Sequence, residues 1–172
     1  MQYTKILETK KDSNQYNIYI IPPYVDLEKT EFKNGFIATG QTLPKDEALK
    51  LASHVDNFMK TMIDDAKEIT IDETKFKDFA NIKKELLEGS WTFPYYDADE
   101  NGMFCYLRFV PPNMDLEKAG FPHGISLGDK HFLDKKDTIP LKEKIDKIMT
   151  ESYGKILDII EEELKQNNSF KL

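Results

Sequence analysis

Residues 18–36 read IYIIPPYVDLEKTEFKNGF, and residues 107–125 read LRFVPPNMDLEKAGFPHGI. The two stretches align without a gap at a spacing of 89 (107 against 18) and share 8 of 19 residues. Pro22-Pro23 falls on Pro111-Pro112, Asp26-Leu27-Glu28-Lys29 on Asp115-Leu116-Glu117-Lys118, Phe32 on Phe121, and Gly35 on Gly124. Other pairs exchange one apolar residue for another, as in Ile18/Leu107, Ile21/Val110 and Val25/Met114. A second block, Thr42-Leu43-Pro44 against Thr138-Ile139-Pro140, follows at a spacing of 96 (138 against 42), which gives the second copy seven extra residues. In both blocks Thr is expected to cap a helix whose first turn holds the Pro. Self-similarity of this kind signals an internal duplication. The copies are expected at about 1–70 and 89–172, with a connecting helix over about 73–88.

Outward from the shared block, each copy reads as a hairpin followed by a helix. In the second copy, Trp91–Tyr96 and Met103–Val110 are strand-like runs around Asp97–Gly102, and the Asn101-Gly102 pair is a strong hairpin signal. In the first, Tyr3–Leu7 and Tyr16–Ile21 flank a polar stretch. The Pro-Pro pair stops each second strand, because proline cannot donate to a ladder and restricts its predecessor. Short extended pieces are expected near Gly35–Thr39 and Gly124–Leu127. Helical periodicity then places Ala48, Leu51, Ala52, Val55, Phe58, Met59 and Met62 on one face, and Ile145, Ile148, Met149, Tyr153, Ile156 and Ile160 on another. The expected fold is α+β: two tandem β-hairpin–loop–helix units forming one pseudo-twofold antiparallel sheet, with amphipathic helices on one face and 1–172 as a single domain. A single sheet is expected because open edges on separate halves would invite mispairing.

Composition narrows the function. The chain carries 24 basic and 31 acidic residues among 172, for a net charge of −7. That argues against general nucleic-acid or anionic-membrane binding, which needs a basic surface. The one cysteine, Cys105, rules out an intrachain disulfide and suits a reducing, cytoplasmic setting. Neither a signal-peptide core nor an apolar run of the ~18–20 residues that span a bilayer occurs.

Each chemistry-bearing motif has a plainer reading. The Asp-Leu-Glu-Lys elements offer Asp26, Glu28, Asp115 and Glu117 to a partner or cation, or else their aspartates cap turns while the leucines tuck inward. Asp97-x-Asp99-x-Asn101-Gly102 opens like a calcium loop, but its twelfth position is Arg108 instead of glutamate, so a hairpin turn explains it. The extra stretch of the second copy brings His123, Asp129 and His131 close in sequence. It is the expected place of specific function, although the spacing lacks the fixed ligand geometry of a metal site. Cys105 sits mid-strand as a small hydrophobe. Ser126, in Gly-Ile-Ser-Leu-Gly, lacks the parallel sheet that a nucleophile elbow requires. Trp91, Tyr95 and their neighbours form an aromatic strand that belongs either to the core or to an interface. Pro94 puts that strand at a sheet edge.

No catalytic residue, metal or cofactor is assigned on this reading. The expected function is that of a small acidic binding protein, of inhibitor, immunity or adaptor type, acting on a protein partner with a basic surface. The candidate contacts are Asp26, Glu28, Trp91, Tyr95, Asp115, Glu117, His123, Asp129 and His131. The alternative is an enzyme or small-ligand binder with its site at the junction of the copies. A polar cleft at the junction would favour the second reading; a flat face carrying exposed aromatics would favour the first.

Overall fold

A computed structural model describes residues 2–100, 102–128 and 135–167. The alternating stretches form strands β1 (Thr4–Glu8), β2 (Tyr16–Ile20) and β3 (Phe36–Leu43), then β4 (Thr92–Asp99), β5 (Gly102–Phe109) and β6 (Ile125–Leu127). The helices are α1 (Lys45–Glu73), α2 (Phe79–Leu87) and α3 (Lys135–Gln166). The fold is α+β. The strands make one antiparallel sheet in the order β1-β2-β3-β6-β5-β4, so the sheet is continuous across both halves of the chain. The halves meet at its centre, where β3 pairs with the three-residue β6 through Ala38 and Leu127 and Gly128 N donates to Ile37 O at 2.8 Å.

Alternation fixes which side chains face the helices. Ile18, Ile20, Phe36, Ala38, Leu107 and Phe109 are buried beneath Val55, Phe58 and Met59 of α1 and Met149, Tyr153 and Ile156 of α3. Residues of opposite parity, among them Tyr19, Ile37, Arg108 and Phe93, lie on the face without helices. One anchor recurs in each half. Asp56 on α1 accepts from Tyr3 N (2.8 Å) and from the Thr4 hydroxyl (3.0 Å). Asp146 on α3 accepts from Trp91 N and from the buried Thr92 hydroxyl, both at 3.0 Å, and pairs with Lys142. Asp146→Ala would leave both donors with no protein acceptor, at ~1–3 kcal/mol for a buried group. The expected result is a loss of about 2–3 kcal/mol, read as a lower urea midpoint at unchanged slope.

Several sequence expectations need correction. Thr138 is not a helix cap: α3 already begins at Lys135, and Pro140 lies inside it. Thr42 is no helix cap either: it belongs to β3, which runs on to Leu43, and Pro44 directly precedes α1 instead of lying in its first turn. The likeness of Thr42–Pro44 to Thr138–Pro140 therefore does not mark equivalent positions. The helix anchors stand 90 apart (146 against 56), close to the spacing of the Pro-Pro block, so the seven-residue offset has no counterpart here. The β4–β5 hairpin is longer than expected, pairing through Asp99 and Gly102, so Asp97 is a strand residue and not part of a loop. The connecting helix is shorter. Residues 68–73 extend α1, and Phe76 projects from the turn at 87% exposure.

Candidate functional site

Both Asp-Leu-Glu-Lys elements are turns, and their first residues act as caps. Asp26 accepts from Glu28 N (3.2 Å) ahead of a short 3-10 turn, Leu27–Lys29. Asp115 accepts from Lys118 N at 3.1 Å. Asp26, Glu28, Asp115 and Glu117 are all exposed, while Leu116 packs on the core and Leu27 is half-buried. Each turn follows a residue in the left-handed region, Tyr24 (φ 64) or Asn113 (φ 63). Asn adopts that region readily, whereas a bulky residue is strained there.

Each turn rests on the long helix of the other half. On the first, Ser152 Oγ donates to Pro23 O (2.6 Å) and Lys155 Nζ to Tyr24 O (2.9 Å), which holds Tyr24 in its unusual conformation. On the second, Asp115 N donates to Asp65 Oδ2 (3.5 Å), and Phe121 meets Phe58 edge to face at 5.4 Å. The four acidic candidates thus divide between two separate turns instead of converging.

Beside the first turn lies a cleft of about 490 Å³ between residues 25–32 and α3. Val25, Phe32 and Ile148 supply apolar wall, and Lys29, Lys144, Lys147 and Lys155 line it together with Asp26, Glu31 and Glu151. The groove at the second turn, about 450 Å³, is lined instead by Asp65, Glu68 and Asp115 with Ile69, Asn113 and Met114. Lys155 and Asp65, which serve the two turns in like fashion, give the two sites opposite charge. Among the described residues, no group of three or more His, Cys, Asp or Glu has the arrangement to hold a metal ion.

The aromatic strand divides differently from simple alternation. Trp91 precedes β4 and turns inward: it is 0% exposed, stacks near Phe109 (6.3 Å) and meets Tyr153 edge to face at 5.0 Å. It belongs to the core and is not a surface contact. Burial, and then the nearby Asp65 carboxylate, push the Tyr153 hydroxyl well above its ordinary pKa, so it stays protonated. Burial raises Tyr3 likewise, with smaller contributions from Tyr24, Asp64 and Asp56.

Phe93 and Tyr95 face outward and are 48% and 41% exposed. Tyr96 and Met103, on the helix side of the hairpin, are also exposed, at 53% and 80%, although Cys105 opposite Tyr96 is buried. At its base, the Arg108 guanidinium lies 4.8 Å from the Tyr95 ring centroid and 5.5 Å from that of Tyr106. Arg108 donates to the Tyr106 hydroxyl and to the His123 carbonyl, both at 3.2 Å, while its Nε has no partner among the described residues. His123 is exposed; Asp129 and His131 lie outside the described residues. Cys105 is buried in β5, and Ser126 lies on the antiparallel β6, as their flanking residues indicated. Sequence reasoning missed Tyr96, Met103 and the lysines of the cleft.

The chain gives no significant match to a protein-family model, to a curated protein or to a solved structure.

Proposed function

We propose that this chain is a cytoplasmic binding protein that acts by covering a protein partner with a basic surface, through the outer sheet face and the β4–β5 arm. The observation that carries this reading is the exposure of Phe93, Tyr95, Tyr96 and Met103 on one hairpin. Large exposed aromatics of this kind are typical interface anchors. The same hairpin carries Asp97, Asp99 and Glu100 near its turn against the single Arg108 at its base, so it offers apolar contact beside a negative end. At the centre of the sheet the halves meet as paired backbone, whereas the polar cleft between the first turn and α3 does lie at the junction of the copies and keeps a small-ligand site there as the alternative.

The same proposal takes the chain as one domain derived from a duplicated unit. Its support is the recurrence of the Asp56 and Asp146 anchors, of Ile21 N on Tyr3 O and Val110 N on Trp91 O (both 2.7 Å), and of each turn's seat on the opposite helix.

The test is affinity capture from the native host with the tagged chain, beside a Tyr96→Ser/Met103→Ser variant. Both side chains are exposed, so the variant is expected to fold normally, and surface changes of this kind cost within ~0.5 kcal/mol. The expected result is one stoichiometric basic protein, retained by the native chain and lost from the variant. Equal retention by both, or no retained macromolecule, would sink the reading.

A further inference from the structure

The cleft between the first Asp-Leu-Glu-Lys turn and α3 has features that the binding face does not need. Its volume of about 490 Å³ falls within the ~300–1,000 Å³ of small-molecule sites. Its polar lining counts four lysines against three carboxylates, a local positive balance in a chain of net charge −7. Three of those lysines are already engaged: Lys29 with Asp26 (3.8 Å), Lys144 with Glu31 (2.7 Å) and Lys155 with Glu151 (3.4 Å). The Lys147 side chain makes no ion pair or hydrogen bond among the described residues.

We propose that this cleft binds a small organic anion with an apolar body. The anionic end pairs with Lys147 and draws Lys144 away from Glu31, and the body lies against Val25, Phe32 and Ile148. Three physical points support this. Ile148 is only 8% exposed, and Val25 and Phe32 pack on the core, so the wall is apolar and fixed in place. The Lys144–Glu31 pair is half exposed on both sides (55% and 54%), and exposed pairs are worth ~0–1 kcal/mol, so exchanging Glu31 for a ligand anion costs little. The overall charge of −7 repels anions at long range, but that repulsion is screened beyond ~8 Å at physiological ionic strength, where the nearby lysines dominate. The groove at the other turn, with Asp65, Glu68 and Asp115, has the opposite preference, which makes the anion site a property of one half only. A phosphate and a carboxylate share the required chemistry.

The test titrates the full chain with phenyl phosphate, inorganic phosphate, benzoate and benzyl alcohol, followed by amide chemical shifts. Phenyl phosphate is expected to shift residues 25–32 and 144–155, with benzoate weaker at the same residues, inorganic phosphate weaker still and benzyl alcohol weakest. Lys147→Gln is expected to weaken phenyl phosphate about fivefold and to flatten its salt dependence, as loss of one partly exposed charge contact should. Lys144→Gln should act in the same direction. Lys60→Gln, on the exposed face of α1, makes the same change in net charge and should alter affinity less than about twofold. Shifts elsewhere, equal effects of Lys147→Gln and Lys60→Gln, or inorganic phosphate binding as tightly as phenyl phosphate would each overturn the proposal. If benzoate matches or exceeds phenyl phosphate at these residues, the site stands and its natural anion is a carboxylate.

Discussion

Gly35→Ala is expected to cost the chain more than about 3 kcal/mol, a large share of a typical total of ~5–15 kcal/mol. Two penalties add. Gly35 sits at φ 101, a region that a side chain enters only under strain of ~1–3 kcal/mol. A Cβ there would also stand 2.2 Å from Ile20 O and 3.0 Å from Ile20 C, which are backbone atoms of a core strand that cannot turn aside. Gly124 repeats the arrangement at φ 76, with a Cβ placed 2.4 Å from Phe109 O, so Gly124→Ala should behave alike. Gly120→Ala separates the two penalties. It has φ 87 but nothing within 4 Å of the added carbon, so only the backbone strain applies, at ~1–2 kcal/mol. Urea unfolding of the three variants decides the matter. If Gly35→Ala costs no more than Gly120→Ala, the close approach of the turn to β2 is not as described.

Trp91→Ala is expected to lose about 3–5 kcal/mol, the usual cost of emptying a large buried aromatic site. The indole is wholly buried against Phe109 and Tyr153, and it belongs to the segment whose backbone N–H is held by Asp146. Trp91→Phe should be far milder, within about 1–1.5 kcal/mol of the native chain. Among the described residues the indole Nε1 is buried without a partner, so removing it relieves a desolvation cost of ~1–3 kcal/mol that partly offsets the lost contact area. Thermal unfolding followed by far-ultraviolet circular dichroism compares the variants without relying on the sole tryptophan. Equal losses for the two substitutions would mean that Nε1 is satisfied in solution.

Those two sites also mark how far the sequence could be read. The paired glycines and prolines stood out in the quoted stretches because backbone geometry limits which residues serve there. The helical faces were legible for a similar reason. Val55, Phe58, Met59 and Met62 repeat at helical spacing, and all four are buried. Trp91 reads as part of one aromatic strand with Tyr95 only if alternation is carried one residue too far. Parity holds only inside a strand, and Trp91 precedes β4. The start of α3 differs from the expected one because Thr138-Ile139-Pro140 imitates Thr42-Leu43-Pro44, whereas the anchors that recur in the structure are Asp56 and Asp146, which have no local signature. The lysine cleft was hidden for another reason. Lys144, Lys147 and Lys155 read as the solvated side of an amphipathic helix until a turn more than a hundred residues earlier packs beside them. Capping by Asp26 and Asp115 needs only neighbouring residues, so that part of the candidate set could be weighed from the start.

The seating of each turn on the opposite long helix bears on how the chain meets proteases. The central joint of the sheet is slight, one short strand wide. Parting it would not free either half, because Ser152 and Lys155 still hold the first turn while Phe58 and Asp65 hold the second. Local opening therefore gains little until both turns let go together, and susceptibility to cleavage follows the population of the fully open chain. Degradation of this protein should be all-or-none, with no half-sized remnant outlasting the rest.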